Sequence, residues 1–382
     1  MTRLSTATLA ALTVLGLPAL ARAQGTLSTQ GFGYPAGQIS TRSLAAGGSI
    51  AEFDPLSATN PAALTSFGSA ALYLQAEPEY RNLRTGTTSE RGMIARHPLV
   101  AAVVPITSTI FGGLSLSNFL DRSFETSVRG TQLVGDSTIA ATNFFKSNGA
   151  IGDVRLSLAW AARSWLRLGV AAHAITGDNQ LSNAQRFDDS TRFAPLVDTS
   201  TVTYVGSAVS AGFELFAGSV VGLAGSYRKG GGLTVKHGDE TLGKANVPDR
   251  ISISAAFLGI KGTSLAVRTS KDTWTRMRGL GSVGLPISDS WDTSVGADIL
   301  GPRIGSRSFQ LRGGARWRTL PFGLPTSEVK EKSYSFGLGT LLARGRVGLD
   351  LAGIRASRVP VSNTIGMNET AWTASIGVTV RP

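Results

Sequence analysis

The chain has 382 residues, of which 42% are hydrophobic and only 16% charged, with 46 glycines and no cysteine. That profile is poor in charge for a soluble enzyme but ordinary for a barrel with one face in lipid and tight turns, and it excludes disulfides, thiolate metal sites and a lipid-modified cysteine. Lysine and arginine total 37 against 25 acids, a net charge of +12, yet the arginines stand singly at strand spacing without interleaved aromatics, which excludes a nucleic-acid groove.

In chain order, Met1 to Gln24 has Arg3 near its start, an apolar core from Leu9 to Leu20, and Ala21-Arg22-Ala23 as its end. It reads as a signal peptide, residues 1–23, cleaved after Ala23. The apolar core is too short for a spanning helix, which needs ~20 residues. No later window is continuously apolar over such a length, so the protein is expected to be exported without a transmembrane helix. Glycine and serine are spread evenly, so no interdomain linker is expected.

Residues 24–67 are turn-rich. The run Thr41 to Leu64 contains Gly47-Gly48, Asp54-Pro55 and Asn60-Pro61, the punctuation of a compact segment suited to a plug. Asn60 is a natural cap, and Pro61 the first residue of a helical turn. With Arg42, Gly47, Gly48, Asp54, Ser57, Asn60, Pro61, Ala62 and Leu64, the segment resembles the N-terminal hatch of the outer-membrane superfamily of long-chain fatty-acid transporters (FadL-like), which includes the PorV/PorQ group. The resemblance extends to Gly152–Asn179, to the Leu-Pro-Phe segment within Leu320–Gly339, and to the closing strand Glu369–Arg381. It implies a fourteen-strand barrel, residues 68–382, closed by a hatch whose residues are Arg42, Gly47, Gly48, Glu52, Phe53, Asp54, Asn60 and Pro61. Leu44, Ile50, Phe53, Leu56 and Leu64 are expected to line a ligand route, and Arg42, Glu52 and Asp54 to bond the wall. The ending Val-Arg-Pro departs from the terminal aromatic usual for barrel assembly, and aromatics amount to only 7%.

Strand periodicity fills the rest. Trp372, Ala374, Ile376, Val378 and Val380 alternate with Thr373, Ser375, Gly377 and Thr379, as a strand between lipid and lumen requires. Earlier candidates are 68–83, 93–104, 109–122, 152–162, 165–176, 203–217, 219–229, 250–258, 263–271, 278–286, 291–300, 306–318, 332–341 and 344–354. That is one too many for an even-stranded barrel, and 93–104, which carries His97-Pro98, is the weakest. The reading is therefore an all-β antiparallel transmembrane barrel of 14 strands. Turns at 105–108, 162–165 and 217–218 are tight, whereas 123–149 and 177–202 read as long loops facing the medium.

Catalytic and metal chemistry is sparse. His97, His173 and His237 stand in separate elements, and no metal site is expected. His173, near Asp178, would suit a serine hydrolase only if the fold supplied a serine, and serine is too abundant here to single one out. Gly230–Gly232 lacks the lysine and serine of a phosphate loop and reads as a flexible strand end; Asp188-Asp189 lacks the calcium-loop pattern and reads as a solvated turn. Arg155, Arg312, Arg316, Arg318, Arg344 and Arg346 are expected to point inward, either toward an anionic ligand or into ion pairs with Glu214, Asp298 and Asp350.

The resulting expectation is a multi-pass protein of the bacterial outer membrane, without cofactor or enzymatic activity, that binds or transports hydrophobic, optionally anionic, molecules such as fatty acids. Its partners would be outer-membrane lipids, the small-molecule ligand and the barrel-assembly machinery. Two alternatives stand beside it: a PorV-like docking or shuttle component working with secretion-system proteins, and a structural outer-membrane protein.

Overall fold

The computed structural model describes residues 22–24, 27, 32–134, 137–280, 286–305, 307–324, 327–364 and 366–382; most of the leader lies outside the described residues. Eighteen hydrogen-bonded segments form one sheet. They reduce to a closed barrel of fourteen strands, because three strands are each interrupted once and Arg22–Gln24 is a separate short piece. In order these are β1 (Ala71–Thr85), β2 (Thr88–Arg96 and Leu99–Pro105), β3 (Ile110–Asp121 and Phe124–Val134), β4 (Ser137–Arg163) and β5 (Leu166–Phe187). Then come β6 (Leu196–Ala217), β7 (Val221–His237), β8 (Glu240–Asn246 and Arg250–Ile260), β9 (Thr263–Asp272) and β10 (Ser290–Ile304). The last four are β11 (Arg307–Leu324), β12 (Ser327–Leu342), β13 (Val347–Pro360) and β14 (Met367–Val380). Every neighbouring pair is antiparallel, and β14 closes on β1 from Val380↔Leu72 to Met367↔Thr85. Closure pairs the sheet edges all round the ring except between the upper parts of β2 and β3, and pairing of this kind is the condition for a sheet to span lipid.

The strand count matches the expected fourteen, by a different route. The doubted run 93–104 is β2; His97-Pro98 only interrupts it, and the halves pair with Glu77–Thr85 and Ala71–Leu74 of the same neighbour. The false candidate is 278–286. Arg278–Leu280 ends a 3-10 helix, Trp274–Leu280, and residues 281–285 lie outside the described residues. The expected long loops 123–149 and 177–202 are mostly strand, since β3 runs to Val134, β4 starts at Ser137, β5 ends at Phe187 and β6 starts at Leu196. Many of these positions are exposed on both faces, so the apolar–polar alternation that marks a half-buried strand is absent there. Arg344 is in the turn before β13, with φ 57°, and Arg346 immediately precedes Val347.

Side chains alternate as a lipid-facing wall demands. Leu72, Leu74, Leu351, Ile376 and Val380 are exposed on the outside, while Tyr73, Gln75, Ser375 and Thr379 are buried on the inside. The outward rows are apolar up to an aromatic row of Tyr334, Trp372 and Tyr80. From Leu72 to Tyr80 the belt is about 20 Å high, at ~3.3 Å per residue and a tilt of ~40°. Every connection at the end that carries the C-terminus is short, whereas the opposite end includes the long stretches 188–195 and 273–289 beside its tight hairpins; by the asymmetry of such barrels the C-terminal end is periplasmic. One interruption opens the wall: Thr88–Arg96 forms no ladder with β3 among the described residues, although Leu99–Pro105 does. Arg22–Gln24 pairs instead along that free edge of β3, at Glu125–Ser127.

Candidate functional site

The N-terminal segment from Phe32 to Ser66 lies within the barrel, where side chains alone would leave its backbone too far from the wall for close packing. Glycines remove that obstacle. Helix α1 (Thr41–Ala45), capped by Ser40, runs into Gly47 and Gly48, whose φ values of 70° and 87° turn the chain back. A Cβ on Gly296 would sit 2.1 Å from the Ala46 carbonyl oxygen, and one on Gly314 2.3 Å from its carbonyl carbon. Gly169 and Gly212 admit Ala62 and Asn60 in the same manner. Asn60 caps the 3-10 helix Pro61–Ser66 by accepting from the Ala62 N–H at 3.0 Å, and its amide donates to the Glu52 and Phe213 carbonyls.

Polar residues of the segment divide their work. Arg42 pairs with Asp298 at 3.1 Å, and Glu52 accepts from Arg268 at 3.2 Å and Ser226 at 2.7 Å, so both bind the wall. Asp54 does not: it accepts from Ser40, Ser43 and Ser57 and holds the segment's own fold together. Of the five apolar residues expected on a ligand route, Leu56 and Leu64 pack with Phe67, Tyr73, Leu99 and Phe111 at the periplasmic end. Ile50 packs against Ala256 and Ala266 with Phe53 beside it; Leu44 lines the interior cavity.

Above this segment, Tyr34 stands in a cage of charges that sequence patterning did not reveal. The guanidinium carbons of Arg81, Arg96, Arg318 and Arg358 lie 5.6, 5.1, 4.8 and 4.7 Å from its ring centroid. Its hydroxyl donates to Glu331 at 3.0 Å and accepts from Arg358 at 3.0 Å. Glu79 accepts from Arg81, Arg96 and Arg358, Asp121 from Arg96, Glu331 from Arg318 and Arg358, and Glu369 from Arg358. Four cations thus face four anions. Removing one member of so buried a network costs about 3–5 kcal/mol, because its partner is left uncompensated.

Beyond the cage is an apolar cluster containing Phe32, Phe119, Tyr204, Trp274 and Phe322. Phe119 stacks on Trp274 at 5.2 Å, and Phe32 packs against Phe322 at 4.6 Å. Arg122 lies over Phe32 and Tyr204, donates to the Tyr204 hydroxyl, and has no ion pair among the described residues. Between the cluster and the cage is a cavity of ≈ 120 Å³, lined by Tyr34–Ile39, Phe119, Trp274, Arg228 and Arg316 among others.

The six arginines singled out from the sequence are not brought together. Arg312 pairs with Asp298 and Asp350, Arg316 with Asp292, and Arg318 with Glu331, so these three enter ion pairs. Arg155 is buried without an ion pair among the described residues, its Nε unpartnered. Arg344 and Arg346 are at the periplasmic turn, away from the lumen chamber. Glu214 is held by Arg167 at 3.0 Å. His173 takes Asp153, not Asp178: both carboxylate oxygens lie 2.9 Å from Nδ1, and Ser210 Oγ lies 2.9 Å from Nε2. The connectivity is that of a nucleophile relay, but none of the three lines the cavity, and Gln38 of the N-terminal segment donates to Asp153 at 2.7 Å. Buried on all three strands, the relay ties β4, β5 and β6 to that segment.

Other candidates resolve simply. Gly230–Gly232 forms a bulge within β7, tight against Val247, rather than a strand end. Asp189 accepts from the Thr191 hydroxyl at 2.6 Å and from two turn N–H groups; the hydroxyl bond chiefly holds its carboxyl below the usual range. No cluster of metal-ligating side chains occurs among the described residues.

No protein-family model and no curated protein matches the chain. Solved structures do. A FadL homologue from Pseudomonas aeruginosa superposes with a TM-score of 0.61 at 12% identity, over 91% of this chain and 99% of that one. The CymD monoaromatic hydrocarbon channel gives 0.56 at 12%, over 90% and 97%. The toluene transporter TodX of Pseudomonas putida gives 0.53 at 13%, over 91% and 98%. At this identity the likeness is one of fold, and it coincides with the lipid-facing belt and the closed ring. The protein is a multi-pass β-barrel of the outer membrane, with the fold of the FadL-like channels.

Proposed function

We propose that the barrel conducts small apolar molecules, that residues 32–66 act as its hatch, and that the aromatic cluster receives the ligand. The observation that carries this reading is the cavity of ≈ 120 Å³ between Phe119 and Trp274 on one side and Tyr34–Ile39 of the hatch on the other. Glu79, Arg96, Arg228, Asp292, Arg316 and Glu331 line the cavity too, so its apolar side is that of Phe119 and Trp274; a cavity of ~150 Å³ is enough for benzene, whereas larger ligands occupy roughly 300–1,000 Å³. A one-ring hydrocarbon is therefore within reach of modest side-chain motion, while a long acyl chain requires Phe32 and Tyr34 to withdraw. The names of the CymD and TodX structures, a monoaromatic hydrocarbon channel and a toluene transporter, agree with the smaller ligand.

An acidic head group is less well served, since Arg312, Arg316 and Arg318 already have carboxylates. Such a group would meet Arg122, which has no ion pair among the described residues. Phe119 is on β3 and Arg122 in its interruption, beside the unladdered stretch of wall, so we propose that the ligand leaves sideways into the bilayer. No feature of the described residues favours the secretion-docking reading. The test is uptake of a labelled monoaromatic hydrocarbon and of a labelled long-chain fatty acid by cells lacking such a channel. Expression should raise hydrocarbon uptake, and Trp274→Ala should alter it; uptake equal to that of cells without the protein would overturn the reading.

A further inference from the structure

The outer wall carries a second feature, unrelated to the lumen. Alternation predicts apolar side chains on every outward position at membrane depth, and up to the row of Tyr334, Trp372 and Tyr80 that holds with few exceptions. At that row Arg355 faces outward between Tyr334 and Trp372, its guanidinium 5.7 Å from the indole centroid. The next row up contains Lys332, Ser357, Thr370, Asn82 and Arg91, and the row after it Lys330, Val359, Asn368, Arg84 and Ser89.

Five cations thus occupy three successive outward rows across β1, β2, β12 and β13, and no acidic side chain faces outward in those rows. All five are exposed, and none forms an ion pair among the described residues, in contrast to the lumen, where most arginines are matched to carboxylates. An open groove of ≈ 800 Å³ runs between three of them, lined by Arg84, Arg91, Arg355, Tyr80, Met93 and Trp372. Its lower edge carries Tyr80, Met93 and Trp372 with Arg355 beside the indole, and its upper part carries Arg84 and Arg91 among neutral side chains.

Position selects the occupant. The aromatic row marks the belt's upper boundary, where amphipathic rings lie at head-group level, so the cations stand in the head-group layer at the extracellular end. A guanidinium matches phosphate oxygens in a bidentate fork, and cations beside a membrane attract anionic lipid. We infer that this groove binds a phosphate-bearing, multiply acylated glycolipid of the outer leaflet, with its phosphates against Arg84, Arg91 and Arg355 and its acyl chains against Tyr80, Met93 and Trp372. The consequence is a lipid held specifically on one side of the barrel.

Native mass spectrometry of the full chain in mild detergent tests this, with lipid A bearing both phosphates, its dephosphorylated form and phosphatidylglycerol as probes. The diphosphorylated form should bind at least about tenfold more tightly than either of the others. The triple variant Arg84→Gln, Arg91→Gln, Arg355→Gln should lose that preference while keeping its heat-dependent gel shift. Equal binding of phosphorylated and dephosphorylated lipid A by the wild type would overturn the site, and that comparison stands even if the variant fails to fold. Equal binding of phosphatidylglycerol would show a non-selective anionic surface and overturn the assignment to an outer-leaflet lipid.

Discussion

At the scale of single residues, the interior is decided by what is missing and by what is matched. A methyl group at Gly314 would overlap the Ala46 carbonyl carbon at 2.3 Å, closer than packed atoms come, and both partners are backbone, so one must move. Gly314→Val is accordingly expected to displace the end of α1 and raise single-channel conductance, while the barrel's heat-dependent gel mobility stays as in the wild type; unchanged conductance would mean that the wall absorbs the strain instead. Tyr34→Phe tests the cage more finely. It removes the hydroxyl between Glu331 and Arg358 but leaves the ring under its guanidinium groups, so a loss of about 1–3 kcal/mol is expected from the unpaired polar groups. Denaturant unfolding in detergent measures it, and a midpoint equal to that of the wild type would exclude a structural part for the hydroxyl. Gly47, Gly48, Asn60 and Pro61 were legible because turns and caps are local in sequence. Tyr34 and Arg358 were not, since what joins them spans nearly the whole chain.

At the scale of elements, the N-terminal segment can leave without stripping the wall of its charge balance. Arg268 retains Asp292, Asp298 retains Arg312, and Arg358 retains Glu79, Glu331 and Glu369 once Glu52, Arg42 and Tyr34 are withdrawn. Deleting residues 37–64 should therefore yield an inserted barrel whose conductance rises sharply. An inserted deletion protein with wild-type conductance would show that this segment does not close the pore. The same distinction explains which strands could be read beforehand. β12, β13 and β14 face lipid on one side and polar lumen on the other, and their alternation is clean; the upper parts of β3 to β6 expose many residues on both sides, so a period of two leaves little trace in hydropathy. The candidate 278–286 begins instead at the end of the helix Trp274–Leu280, where Leu280 packs on the interior cluster and not on a sheet face.

At the scale of the whole molecule, lipid and water set the inside and the outside, and two measurements follow. Ile376, at mid-belt, is exposed on the outer wall, whereas Thr373 faces inward and lines the cavity. An arginine at position 376 should cost about 2–4 kcal/mol of barrel stability, and an asparagine at 373 much less; equal losses in folding titrations into vesicles would reverse the facing assignments. Orientation is the remaining freedom, since a closed ring inserts equally well on paper either way up. The turns that follow β2, β4, β6 and β12 are tight, and the C-terminus lies among them, whereas residues 188–195 and the stretch between β9 and β10 crown the opposite end. Periplasmic turns are short because the barrel is threaded from that side, and longer connections can only be carried through as folded hairpins facing the medium. A membrane-impermeant thiol reagent added to intact cells should thus label Asp188→Cys and Asn143→Cys but not Thr107→Cys. Labelling of Thr107→Cys alone would turn the barrel over, and with it the leaflet against which Arg84, Arg91 and Arg355 lie.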